Sequence, residues 1–61
     1  MKIGDLIELS FNSVNCHKGV VIKGGRSLGW LEVLFFDGEQ MYYDAKDYEW
    51  QEKFWRVLNE S

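Results

Sequence analysis

Trp30-Leu-Glu-Val-Leu-Phe-Phe-Asp-Gly-Glu-Gln-Met-Tyr-Tyr43 is two runs of aromatic and aliphatic residues broken by Asp37-Gly38. An Asp-Gly step between such runs is the strongest short-range signal for a β-hairpin. A two-residue type I′ turn needs φ > 0 at both central positions, which Asp tolerates and Gly adopts freely. With Asp37-Gly38 as that turn, Phe36 faces Glu39, Phe35 faces Gln40, Leu34 faces Met41, Val33 faces Tyr42 and Glu32 faces Tyr43. Side chains alternate across a strand, so this register sorts the hairpin into two faces. Leu31, Val33, Phe35, Gln40 and Tyr42 share one, which is free of charge and is expected to be the core side. Trp30, Glu32, Leu34, Phe36, Glu39, Met41 and Tyr43 share the other, also heavily apolar but with two carboxylates set into it.

Working outward, Asp5 to Phe11 reads as a first strand, with Ile7, Glu8 and Leu9 alternating after a turn at Gly4-Asp5. Phe11 to Lys18 is polar and irregular, the pattern of a loop. Gly19-Val-Val-Ile-Lys23 is a short β-branched second strand, and Gly24 to Gly29 is a glycine-rich connection to the third. No helix follows Gly24-Gly25, which weakens any reading of it as a phosphate cradle. After Tyr43 two readings compete. Trp50, Phe54, Val57 and Leu58 fall at helical spacing, whereas a short helical turn at 45–49 followed by a strand Phe54–Leu58 puts Trp55 and Val57 on one side. Four strands without a fifth would leave a long apolar edge, which favours the strand.

A chain of 61 residues is read as one domain, residues 1–61, that buries only about 60% of its unfolded surface. Its 46% hydrophobic and 16% aromatic content suits that need, since large rings bury the most area per residue. The single Cys16 excludes an internal disulfide, and the Cys and His count is too small for a structural zinc. No run of about 18 apolar residues suggests a membrane span, and no leader-like segment opens the chain. Together with the lone thiol, this leads to an expected intracellular setting and to no membrane partner.

The net charge of −3 is unevenly placed. Residues 1–31 carry Lys2, Lys18, Lys23 and Arg26 against Asp5 and Glu8. Residues 32–61 carry eight carboxylates against Lys46, Lys53 and Arg56. An acidic total argues against a dedicated duplex-binding protein, because neutralising phosphates dominates that affinity.

Lys2-Ile-Gly-Asp-Leu-Ile-Glu-Leu9, Gly19-Val-Val-Ile22, Val33-Leu-Phe-Phe-Asp-Gly38 and Phe54-Trp-Arg-Val-Leu58, in that order, resemble Src-homology-3-like small β-barrels of the Tudor and KOW type. The chain is most similar to the short barrels encoded by tailed bacteriophages, and its Asn59-Glu60-Ser61 end fits them. The resemblance implies an all-β fold, a small five-stranded Src-homology-3-like barrel with a short helical turn before the last strand. It also implies binding rather than catalysis, in the host cytoplasm or the virion. A KOW motif proper has a basic glycine-containing loop, and here only Lys18 and Lys23 flank the second strand. A Tudor-type aromatic cage would draw on Trp30, Tyr42, Tyr43 and Tyr48.

No catalytic, cofactor or metal site is expected. Cys16 and His17 are adjacent in an extended segment and point opposite ways, a poor geometry for a nucleophile and its base. Asp44, Asp47, Glu49 and Glu52 lie in a turn-like stretch without a calcium-loop glycine, the pattern of a solvated acidic rim. The leading candidate is the second hairpin face: Trp30, Leu34, Phe36, Met41 and Tyr43, residue types enriched at the centres of protein interfaces. It would dock onto a protein partner or another copy of the chain, unless the segment Trp50–Leu58 folds across it. The alternative is a basic edge of Lys18, Lys23 and Arg26 binding nucleic acid, with a nearby aromatic such as Phe11 for stacking.

Overall fold

The computed structural model describes residues 1–11 and 16–59. Part of the expected polar loop, residues 12–15, and the Glu60-Ser61 end lie outside the described residues. The fold is all-β. Five antiparallel strands, β1 (Leu6–Ser10), β2 (Cys16–Gly25), β3 (Trp30–Phe35), β4 (Gln40–Asp44) and β5 (Trp55–Val57), form one sheet in the order β4-β3-β2-β1-β5. Its edges are β4 and β5. The strand order and small size are compatible with an Src-homology-3-like arrangement, and the sheet is open rather than closed into a ring.

The hairpin forms where the sequence places it, but not in the expected register. Leu31 faces Tyr43, Glu32 faces Tyr42, Val33 faces Met41 and Leu34 faces Gln40, a slip of one residue. The loop holds three residues, Phe36, Asp37 and Gly38. The Gly38 N–H donates to the Phe35 carbonyl at 2.9 Å, and the Phe35 N–H donates to the Glu39 carbonyl at 2.7 Å. Gly38 sits at φ 96°, and the Asp37 carboxylate accepts the Glu39 N–H at 3.0 Å. This is the three-residue hairpin, a turn followed by a left-handed glycine, instead of the two-residue type I′ turn. A one-residue slip moves every side chain of a strand to the opposite face. Tyr43 and Met41 thereby join Leu31, Val33 and Phe35 on the inner side, while Gln40, Tyr42 and Asp44 turn outward. The preference has a clear source: either register gives the inner face one tyrosine ring, but the slip keeps the Gln40 amide in water and puts Met41 on the inner side in its place.

β2 is also longer than its β-branched centre suggests, running ten residues from Cys16 to Gly25. It pairs with β1 through Leu6–Val20, Glu8–Lys18 and Ser10–Cys16, and with β3 on its other side. The β2–β3 register shifts between Val21 and Lys23. The extra residue bends the strand and re-aims its second half, so that Lys23 comes opposite Glu32 and Gly24 opposite Leu31. Gly24 is required there: at φ 70°, an added Cβ would lie 2.6 Å from the Trp30 carbonyl oxygen. The connection Arg26–Leu28 is a single 3-10 turn.

The chain after β4 resolves to two 3-10 turns, Tyr48–Trp50 and Glu52–Phe54, followed by β5. β5 pairs with β1 through Ile7–Val57, Glu8–Arg56 and Leu9–Trp55. The core lies on the inner face: Ile7, Leu9, Val21, Leu31, Val33, Phe35, Tyr43 and Phe54. Rings dominate its periphery, with Tyr43 edge-on to Trp55 at 5.1 Å and Phe54 tilted against Phe11 at 5.0 Å and Tyr48 at 5.3 Å. Such pairs add about 0.5–1.5 kcal/mol beyond the area they bury. The segment Trp50–Val57 thus covers the inner face. The expected alternative, that it folds across the outer hairpin face, is not what forms.

Candidate functional site

The alternation that buries Ile7, Leu9, Leu31 and Val33 sends their neighbours outward, and strand pairing then lines these up. Leu6 faces Val20 and Val20 faces Leu34, an apolar row across β1, β2 and β3. Leu58 extends the row past β5, its N–H donating to the Leu6 carbonyl at 2.7 Å. Leu6, Leu34 and Leu58 are each close to two-fifths exposed. In the next row Arg56 meets Glu8 at 3.3 Å, Lys18 stands opposite Glu8, and the Phe36 N–H donates to the Lys18 carbonyl. Phe36 is the most open large hydrophobic residue of the outer face, at 66% exposure. On the far side of the leucine row the Trp30 and Tyr42 rings stack at 5.9 Å, and the Gln40 amide donates to Glu32 at 2.8 Å.

Of the five residues expected to form a docking face, Trp30, Leu34 and Phe36 lie together on the outer side. Tyr43 does not belong to it: the register slip puts it in the core, only 7% exposed. Met41 is exposed but stands on the inner side, beside Tyr43. Leu6, Val20, Tyr42 and Leu58 complete the outer face and were missed. Their alternation was visible, since Leu6 flanks Ile7 as Leu34 flanks Val33, but a row across strands exists only once the strands are paired.

The basic set does not gather on an edge. β2 is the central strand, and both of its lysines face carboxylates on neighbouring strands, Lys18 opposite Glu8 and Lys23 opposite Glu32. Arg26 lies apart in the 3-10 turn. Its guanidinium rests 4.6 Å from the centre of the Trp50 ring, with Nη2 buried and without a hydrogen-bond partner among the described residues. The rings suggested for an aromatic cage are likewise dispersed, with Trp30 and Tyr42 outside, Tyr43 in the core and Tyr48 against Phe54. Phe11 also packs on Phe54.

At one end of the inner face a pocket of about 140 Å³ opens between Leu9, Phe11, Phe35, Met41 and Tyr43, with His17, Glu39 and Glu49 also contributing to its walls. The Tyr43 hydroxyl is pushed up to about 12, first by burial and then by the Glu49, Glu39 and Asp47 carboxylates. Cys16 is exposed and free, and no cluster of three or more metal-ligating side chains forms among the described residues. Nor is any described helix long and apolar enough to cross a membrane. No protein-family model matches the chain, and neither a curated protein nor a solved structure shows significant similarity to it.

Proposed function

We propose that this chain is a non-catalytic interaction module that docks onto a protein surface through the outer face of its sheet. The observation that carries this reading is the leucine row Leu6–Val20–Leu34–Leu58, flanked by Phe36 and by the Trp30–Tyr42 stack, left uncovered on a small domain whose core lies on the other side. Contiguous apolar area of this kind on a soluble domain marks contact sites. The charges on the face favour a protein over a phosphate backbone. Glu8 is paired with Arg56 and faces Lys18, and Glu32 faces Lys23, so the face has little net field of its own. A rim of balanced charge around an apolar centre is the usual anatomy of a protein interface. The resemblance to phage-encoded Src-homology-3-like barrels makes an accessory or virion protein the natural setting, acting in the host cytoplasm or the particle.

The reading is tested by the mass in solution, alone and with extract of the cell or particle that makes the protein. Phe36→Glu and Leu34→Glu should each abolish association while leaving the circular dichroism spectrum intact, because both side chains already meet water. Loss of the fold, or association unchanged in both variants, would sink the proposal. The nucleic-acid alternative has weaker support, since its lysines face carboxylates and Arg26 is packed on Trp50. A gel shift at about 50 mM salt that disappears in Lys23→Glu would revive it.

A further inference from the structure

The pocket at the end of the inner face has a lining that defines a ligand. Phe11, Phe35 and Met41 supply apolar walls, so an occupant gains by bringing a hydrocarbon stem. Glu39 and Glu49 contribute carboxylates, and neither is in an ion pair among the described residues. The Tyr43 hydroxyl is a further polar group of the lining. Tyr43 is more than nine-tenths buried, it lines the pocket, and its oxygen has no hydrogen-bond partner among the described residues. Among the described residues that oxygen is not one of the buried atoms left without a partner, so it opens to the pocket, where an occupant's N–H can replace water. Burial first, and then the nearby carboxylates, hold this phenol in its protonated form. Its lone pairs remain open to an N–H donor.

An apolar stem, a positive head and several N–H donors together describe two natural side chains. We propose that this pocket receives a lysine or arginine side chain of the protein partner. The methylenes lie along Phe11, Phe35 and Met41, the cationic head sits by Glu39 and Glu49, and one N–H donates to the Tyr43 oxygen. This rests on the reading of the chain as a protein-docking module, but it uses the opposite side of the sheet. The acidic second half of the chain adds long-range attraction for such a partner.

The probes are Nα-acetyl-lysine amide and Nα-acetyl-arginine amide, with Nα-acetyl-norleucine amide as a stem of similar shape without the charge, titrated into isotopically labelled protein. Saturable, millimolar shifts are expected at Tyr43, Phe35 and Met41 for the cationic probes, with norleucine amide at least about tenfold weaker. Raising salt from about 20 to about 500 mM should weaken the cationic probes only. The double variant Glu39→Gln/Glu49→Gln keeps the shape of both side chains and should cut the affinity by about tenfold or more, with an unchanged circular dichroism spectrum. Tyr43→Phe reports the hydroxyl separately and should weaken binding several-fold. Equal binding of norleucine amide, indifference to the double variant, shifts confined to other residues, or no shift at all would overturn the proposal. Association through the outer face is read from Phe36→Glu and Leu34→Glu, so a failed pocket with intact association rejects the pocket alone.

Discussion

Leu31 and Leu34 lie three residues apart on β3 and meet opposite fates. Leu31 is fully buried between Gly24 and Tyr43 on the neighbouring strands, whereas Leu34, between Val20 and Gln40, is 39% exposed. The same contrast separates Leu9 from Leu6 on β1. One sheet thus presents two apolar faces, but only the inner one is covered, by Phe54 of the last 3-10 turn and Trp55 of β5. Stability therefore resides on the inner side of this small domain, and the proposed docking surface is the outer one. The inner face holds the fold, and the outer face retains apolar area that the fold does not need to bury.

Substitutions of matched residues put the contrast to the test. Leu31→Ala should cost about 2–5 kcal/mol, enough to unfold much of so small a domain, and a denaturant melt will read it. Leu34→Ala should cost under about 1 kcal/mol by the same measurement. Comparable costs at the two sites would mean that the outer face is packed after all.

The alkaline limb of stability probes the inner face in a second way. Because the folded state raises the Tyr43 hydroxyl from 10 to about 12, it holds that proton more tightly than the unfolded chain does. The stabilisation this represents is complete below about pH 10 and is lost as pH climbs through about 12. Tyr43→Phe should therefore flatten the fall in stability between those values, as read from denaturant melts across that pH range.

The hairpin register can be challenged by deleting Phe36. Phe35 and Glu39 would then flank Asp37-Gly38 alone, giving a two-residue turn that preserves the observed facing pairs. The expected cost is about 1 kcal/mol, for the lost bond from the Phe36 N–H to the Lys18 carbonyl. A shortened chain in which the Tyr43 ring becomes exposed would show that loop length, rather than burial of Tyr43, sets the register. The smallest effect is expected for Arg56→Ala. Its side chain is 72% exposed beside Glu8, and removing it should change the melt by no more than about 0.5 kcal/mol.

Much of this architecture was legible in the residues. The hairpin around Asp37-Gly38, the strand at Ile7–Leu9 and the β-branched centre of β2 follow from local pattern and turn chemistry, whereas the final strand, expected at Phe54–Leu58, was favoured over a helix only by the open edge that four strands would leave and by the resemblance. The candidate site was legible only in part. Trp30, Leu34 and Phe36 share a face because they sit on one strand and its adjoining loop, where alternation suffices. Tyr43 and Met41 were misplaced because their face depends on whether the loop holds two residues or three, and Asp-Gly suits both.

Local pattern was enough to place the first four strands and to show more apolar residues than one face of a hairpin can bury, since these depend on properties of each segment alone. Only the assembled sheet settled the register of β4, the partners of Lys18 and Lys23, the leucine row across the strands and the pocket around Tyr43. These depend on which residues distant in the chain come to face one another, and that is decided by burying the large rings while leaving Gln40 and Asp44 in water.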